Sequence, residues 1–147
     1  MPNWCENKLT VEGKKDSLVR FMKQARGKEE EQAFSLESLY PCPDSKDWYD
    51  WRITNWGTQW DVQFSGVVES NTKKNPAKVI YCFDTAWSPP TSGIQEISNQ
   101  FPMLTFTLNY WEAGMGFKGK YKCKAGEVLL AKEDSYYAYA EESDEPA

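Results

Sequence analysis

The chain has 147 residues, which fits one domain with a single core, and its 40% hydrophobic and 27% charged composition is typical of globular proteins. It has no histidine, which excludes Ser-His and Cys-His nucleophilic catalysis and favours a non-enzymatic protein. The net charge is −5, and residues 133–147 contain six acidic and no basic residues, which disfavours duplex DNA as a partner.

The sequence contains no run of about 18 apolar residues and no signal peptide at its N-terminus, so we expect a cytoplasmic protein without a membrane partner. Its cysteines are widely spaced and form no CxxC pair. We therefore expect reduced, mostly buried thiols rather than a zinc site, and we predict no metal and no cofactor. The four are Cys5, Cys42, Cys82 and Cys123.

The first half of the chain predicts a strand, a helix and an irregular segment. Residues 4–11 alternate in polarity, with the odd-numbered residues on one face and the even-numbered residues on the other. Asp16 can cap a helix over 17–26, which Gly27 ends. Residues 44–57 are rich in tryptophan without a clear period, and they predict a short helix near 45–52 followed by a structured loop.

The second half predicts a hairpin, a helix and two more strands. Alternating residues over 60–68 and 78–84 form the hairpin, and the two strands at the end cover 104–111 and 116–123. Thr91 or Ser92 can cap the helix, which runs to Phe101 and is stopped by Pro102.

This order of elements predicts an α+β ferredoxin-like sandwich, in which two helices cover one face of an antiparallel sheet. It has one added strand and an irregular tryptophan-rich insertion. Residues 1–132 form the single domain, and residues 133–147 are expected to be a mobile acidic tail. The uncovered sheet face is a place where flat ligands bind in this architecture.

Four motifs occur in a fixed order between residues 2 and 119. They are Pro2-Asn3-Trp4-Cys5-x-Asn7, Asn55-Trp56-Gly57-Thr58-x-Trp60-Asp61, Phe83-x-Thr85-x-Trp87-x-Pro89-Pro90 and Tyr110-x-Glu112-x-Gly114-x-x-Phe117-x-Gly119. With these motifs the chain resembles the YubB-type ferredoxin-like family of phage and plasmid proteins. The resemblance implies a ferredoxin-like fold and an accessory role in a mobile element, for example against host defence, but it implies no defined activity.

Four tryptophans recur at the ends of predicted elements beside polar residues, so ring faces and polar groups can converge on a flat ligand such as a nucleobase. The alternative is that the rings belong to the core. Trp60 and Trp87 are the better core candidates, whereas Trp56 and Trp111, beside glycines and polar residues, are the better ligand contacts.

Two charged patterns also suggest function. Asp61, Asp84 and Glu112 lie in or just beyond apolar strands and could form a catalytic or metal-binding cluster, although helix capping or ion pairing with Arg52 or a lysine is an alternative. Alternate lysines in the last predicted strand place four ammonium groups on one face, where they can bind phosphates or the acidic tail, or protect an exposed sheet edge. These lysines are Lys118, Lys120, Lys122 and Lys124.

The sequence therefore favours a non-enzymatic binding protein that holds a nucleotide-like small molecule or a host protein on an aromatic surface. The alternatives are a carboxylate-dependent hydrolase of nucleotides and a protein that binds single-stranded nucleic acid; a homo-oligomer is left open. The predicted ligand-binding residues are Asn55, Trp56, Trp60, Asp61, Trp87, Tyr110, Trp111, Glu112, Lys118 and Lys120.

Overall fold

Ten helices and strands follow one another along residues 2–135, the part of the chain that the computed structural model describes. They are β1 (Trp4–Gly13), α1 (Lys15–Ala25), α2 (Leu36–Leu39), α3 (Trp48–Asn55), β2 (Gln63–Asn71), β3 (Ala77–Ala86), α4 (Thr91–Gln100), β4 (Leu104–Glu112), β5 (Phe117–Lys124) and β6 (Glu127–Ser135). The helix predicted over 17–26 is thus present as α1, but Asp16 lies in its first turn rather than at its cap.

The six strands form one sheet in the order β2-β3-β1-β4-β5-β6, and every neighbouring pair is antiparallel. Strands β1 to β4 with the crossing helices α1 and α4 are the ferredoxin-like arrangement, which confirms the predicted fold class. Strands β5 and β6 then extend the sheet beyond β4, so the described sheet has two added strands where the sequence predicted one.

The core lies between the sheet and the helices. Alternate residues of β1 face it, and among them Leu9 and Val11 are fully buried. From α1, the Phe21 ring packs edge to face against Phe101 and Phe106, with ring centroids 5.2 and 5.4 Å apart. Because the helices contribute their buried side chains to this one cluster, they leave the opposite sheet face uncovered.

The insertion between α1 and β2 holds two short helices. The helix predicted near 45–52 is present three residues further along as α3, where the Asp47 side chain caps it by accepting from the Tyr49 N–H. Helix α2 was not predicted because its four residues are too few to show a period, and Ser35 caps it by accepting from the Ser38 N–H.

Two strands differ from the prediction. Regular alternation would place Val62 and Phe64 on the same face of β2. Irregularities in the strand interrupt this alternation, so Phe64, at φ 54°, is 81% exposed while Val62 is buried. Strand β6 was missed because its apolar residues, 128–131, follow one another without alternation. The predicted acidic tail starts inside β6, and residues 136–147 lie outside the described part of the chain.

All four cysteines are free, but only Cys5 and Cys123 are buried, while Cys82 is exposed. Burial, more than any neighbouring group, raises the pKa of the Cys5 thiol far above its usual range, which makes it unreactive. No helix within residues 2–135 is long and apolar enough to span a membrane.

Candidate functional site

The open face is the side of the sheet opposite the helices, and on β1 it carries Trp4, Glu6 and Lys8. Pairing across the sheet extends it in both directions. Glu6 lies opposite Asp84 on β3 and opposite Trp111 on β4. Since side chains directly opposite one another in an antiparallel pair are about 5 Å apart at Cβ, these residues are neighbours on one surface.

Three tryptophans gather at one end of the open face, and we call this group, Trp4, Trp60 and Trp111, the tryptophan end. The Trp4 and Trp60 rings contact each other with centroids 6.3 Å apart and planes at 46°. Trp60 is 36% exposed, and Trp4 and Trp111 are partly exposed. Their rings are therefore accessible to a flat ligand.

Trp87 lies at the same end of the sheet. Its backbone N–H donates to the Asn3 carbonyl oxygen at 2.8 Å, which holds it beside the start of β1. Its φ is 69°, a conformation that costs a non-glycine residue roughly 1–3 kcal/mol, and its side chain is 45% exposed. Residues with strained backbone conformations cluster at active sites and ligand-binding sites.

A pair of carboxylates lies beside the tryptophan end, because Glu6 and Asp84 face each other across β1 and β3. Burial first, and then the negative charge of Glu6, raise the pKa of the Asp84 carboxyl. Carboxylates in this position can accept hydrogen bonds from the N–H groups of a base edge.

Lysines occupy the other half of the open face. The register between β4 and β5 places Lys118, Lys120, Lys122 and Lys124, the lysine row, on this face, as the alternation predicted. Strand β6 adds Lys132, directly opposite Lys120.

The middle of this basic surface is not neutralised by neighbouring carboxylates. Neither of the two ion pairs present among residues 2–135 involves Lys8, Lys120, Lys122 or Lys132. Like charges directly opposite each other on neighbouring strands destabilise a sheet, and Lys120 and Lys132 are such a pair. A bound anion would relieve this repulsion, so the arrangement is suited to phosphate groups.

The predicted division of the tryptophans is wrong for Trp56, Trp60 and Trp87, whereas Trp111 is partly exposed on the open face. Trp56 is fully buried, its indole Nε1–H donates to the Tyr40 carbonyl oxygen at 2.8 Å, and the Arg52 guanidinium stacks on its ring at 4.9 Å. Trp60 and Trp87, predicted as core, are exposed instead. The insertion containing α2 and α3 folds over Trp56, and local sequence carries no signal for that packing.

The residues around Trp56 have structural roles. The Asn55 Oδ1 atom accepts from the Tyr40 hydroxyl at 3.0 Å, and the Thr58 hydroxyl donates to the Ala86 carbonyl oxygen at 2.8 Å. The Ser88 hydroxyl donates to the Gly57 carbonyl oxygen. The last two bonds join the segment after α3 to the end of β3 and the loop that follows it, so two of the four sequence motifs hold the fold together.

The three carboxylates predicted as a catalytic or metal cluster do not converge. Asp84 is on the open face, whereas Asp61 caps α2 by accepting from the Leu36 N–H at 2.7 Å. Glu112 is buried on the helix side and accepts from the Met115 N–H at 3.0 Å. No group of three metal-ligating side chains occurs anywhere in residues 2–135. The predicted hydrolase site is therefore wrong, and the capping alternative is confirmed for Asp61.

Tyr110 is also on the helix side, where its hydroxyl donates to Glu133 Oε1 on β6 at 2.8 Å. It reaches β6 by passing over Gly119, at which any side chain would collide with the Tyr110 ring and hydroxyl. Burial, followed by this hydrogen bond, raises the Tyr110 pKa well above its usual range. Tyr110 therefore holds the added strands to the sheet instead of binding a ligand on the open face.

A polar cavity of about 370 Å³ lies away from the open face, between the end of α3, α4 and the β5–β6 turn. Asn55, Gln95, Glu96 and Asn99 contribute to its lining. It is separate from the lysine row and the tryptophan end, and of the predicted ligand-binding residues it includes only Asn55.

Of the predicted residues, the structure brings Trp60, Trp111, Lys118 and Lys120 together on one surface. Sequence reasoning left out Trp4, Glu6, Lys8 and Lys132, which complete it. The alternation of β1 was a usable signal for the first three, since it had already placed them on the side of the strand facing away from the core. Lys132 depends on β6, which had no such signal.

The sheet order β2-β3-β1-β4, with the crossing helices α1 and α4 on one side, defines a ferredoxin-like α+β domain. The family described as "ferredoxin-like domain in Api92-like protein" matches residues 55–147, and the chain belongs to this family. The crystal structure of a protein api92 from Yersinia pseudotuberculosis is similar, with a TM-score of 0.70 at 10% identity, covering 92% of this chain and 98% of that one. At this identity the likeness shows the fold alone.

None of the curated proteins matches the chain. The family description names a fold and no activity, so the predicted origin in a phage or plasmid stays a prediction. Helix α3 lies outside the matched residues except for its last residue, Asn55.

Proposed function

We propose that this protein is a non-enzymatic binding protein that holds a nucleotide-containing ligand on the open face. The observation that carries the proposal is the like-charged pair of Lys120 and Lys132, which has no carboxylate partner among residues 2–135 and lies on the same surface as the tryptophan end.

The two halves of the open face suit the two parts of a nucleotide. A base stacked on an exposed aromatic ring gains about 1–3 kcal/mol, and the tryptophan end offers such rings. Glu6, directly opposite Trp111, can accept from the N–H groups of that base. Lys120, two residues further along β5 from the position opposite Trp111, places a cation on the same face for the attached phosphate.

The length of the lysine row favours a single strand of several nucleotides over a mononucleotide. Alternate residues of a strand are separated by ~6.6 Å, so the row extends over ~20 Å from Lys118 to Lys124. Cations repeated along a groove or face follow the backbone of single-stranded nucleic acid. The resemblance to phage and plasmid proteins supports an accessory role for this binding, including counter-defence.

Reversing the charge of the central pair tests the proposal. In the variant Lys120→Glu/Lys132→Glu, we expect the affinity for a fluorescein-labelled dT12 oligonucleotide to fall more than about tenfold, because two phosphate contacts become repulsive. The measurement is fluorescence anisotropy at several salt concentrations. The slope of log K against log salt concentration should also become shallower by about 1.4, because two phosphate contacts are lost.

The matched control is Lys73→Glu/Lys74→Glu, which makes the same change of net charge at exposed positions in the turn between β2 and β3. We expect this control to bind dT12 nearly as well as the natural chain. Equal losses in both variants would show a non-specific charge effect and contradict the proposal, as would the absence of any binding at micromolar protein. Mononucleotides in the same assay should bind more weakly than dT12.

A second candidate function, docking of a host protein, is favoured by helix α3. None of its residues is buried, and the side chains of Trp48, Tyr49 and Ile53 are 50%, 47% and 44% exposed. Contiguous exposed apolar side chains mark interaction sites. Asp47 and Asp50 lie beside them, so the partner surface would combine apolar and basic residues.

Photo-crosslinking tests this candidate. A benzophenone amino acid at position 49 should give a discrete adduct with one protein in bacterial cells, and the added substitution Trp48→Ala should remove it. The control places the same reactive group at position 100, at the exposed end of α4. The same adducts at both positions, or none at position 49, would exclude α3 as a docking surface.

A further inference from the structure

The last strand, β6, ends at the same end of the sheet as the tryptophan end. Strand β6 is antiparallel to β5 and ends at Ser135, which lies opposite Phe117. The residue before it, Asp134, lies opposite Lys118. Lys118 in turn lies opposite Trp111. Strand β6 therefore ends at the same end of the sheet as Trp111 and two strands away from it.

The composition of the segment that follows β6 complements the chemistry of the open face. Residues 136–147 begin with three tyrosines and continue with four acidic residues, and they contain no lysine or arginine. The tyrosines come first in the sequence, directly after the end of β6. The acidic residues, Glu141, Glu142, Asp144 and Glu145, come later in the sequence.

The segment is long enough to reach the whole basic surface. Twelve extended residues span up to ~40 Å, whereas the lysine row extends over only ~20 Å. A short tether also gives a segment an effective concentration on the order of millimolar near its attachment point, so even a weak contact would be populated.

We infer that residues 136–147 bind the open face of their own chain, with the tyrosines against the tryptophan end and the acidic residues on the lysine row. The segment supplies the anions that Lys120, Lys122 and Lys132 do not find among residues 2–135. The binding of this segment to the open face does not depend on the proposed function. Its competition with a nucleotide-containing ligand for the same surface does rest on the proposed function.

Neutralising the acidic residues in the full chain tests both statements. The variant carries Glu141→Gln, Glu142→Gln, Asp144→Asn and Glu145→Gln. In the absence of ligand, we expect the NMR signals of the lysine-row amides and of the Trp4 and Trp111 indoles to shift relative to the natural chain. With dT12, we expect binding on the order of tenfold tighter at low salt, since the competing anions are removed.

The control neutralises the same number of exposed acids elsewhere, through Glu29→Gln, Glu30→Gln, Glu31→Gln and Asp44→Asn. It should leave the open-face signals in place and change the dT12 affinity less than about twofold. Equal tightening in variant and control would show an effect of net charge alone and overturn the inference.

The two proposals fail in different ways. If the open-face signals of the neutralised variant and the natural chain coincide while dT12 binds, the docking is wrong and the nucleotide surface stands. If the signals shift but dT12 binds neither protein, the docking stands and the proposed function is wrong.

Discussion

Replacing Trp56 with alanine should lower the free energy of unfolding by about 3–5 kcal/mol, a large part of the total stability of a small domain. The side chain is fully buried, and its removal leaves a cavity between the insertion and α4 as well as an unpaired Tyr40 carbonyl oxygen. Urea denaturation followed by circular dichroism measures the change.

The matched control is Trp60→Ala. Trp60 is 36% exposed, whereas Trp56 is fully buried, so the loss of Trp60 should cost less than the loss of Trp56. If Trp56→Ala yields no soluble protein, Trp56→Phe keeps most of the ring volume and should cost about 1–3 kcal/mol through the lost hydrogen bond. A larger loss for Trp60 than for Trp56 would contradict the assignment of Trp56 to the core.

Replacing Asp61 with alanine should destabilise the fold by about 2–3 kcal/mol, because one carboxylate satisfies several donors at the start of α2. It accepts from the Ser35 hydroxyl at 2.6 Å, from the Leu36 N–H at 2.7 Å and from the Glu37 N–H at 3.3 Å. The same denaturation measurement applies, and dT12 binding by the folded fraction should be unchanged.

Asp84→Asn provides the comparison, since Asp84 is a carboxylate of the open face. Its raised pKa means that the folded state holds the proton more tightly than the unfolded state, so the charged form costs stability at neutral pH. We expect Asp84→Asn to stabilise the fold slightly at pH 7, with the gain lost at acid pH, where the natural carboxyl is protonated. Equal destabilisation by both substitutions would contradict the structural role assigned to Asp61.

The ferredoxin-like order of elements was predictable because five of the strands and the two long helices have a clear period or a clear stop signal in the sequence. Helix α2 and strand β6 had neither. Four residues are too few for a helical period, and the apolar run of β6 does not alternate. Both elements owe their conformation to partners elsewhere in the chain, namely the Asp61 carboxylate and the edge of β5.

The lysine row was predictable because a period of two fixes which side chains share a face, whatever the strand pairs with. The position of Lys132 opposite this row was not predictable, because it depends on the register between β5 and β6. The burial of tryptophans was also not predictable. Trp56 and Trp60 have similar polar neighbours in sequence, but the insertion covers only the first of them.

The most direct test of the central claim is an NMR titration of the full chain with dT12, read at the indole N–H signals of the seven tryptophans and at the backbone amides. We predict shifts for the Trp4, Trp60 and Trp111 indoles and for the amides around Lys8 and Lys120, with no shift for the Trp56 indole. Shifts confined to the residues of the polar cavity beside α4, or no shifts at millimolar oligonucleotide, would contradict binding on the open face.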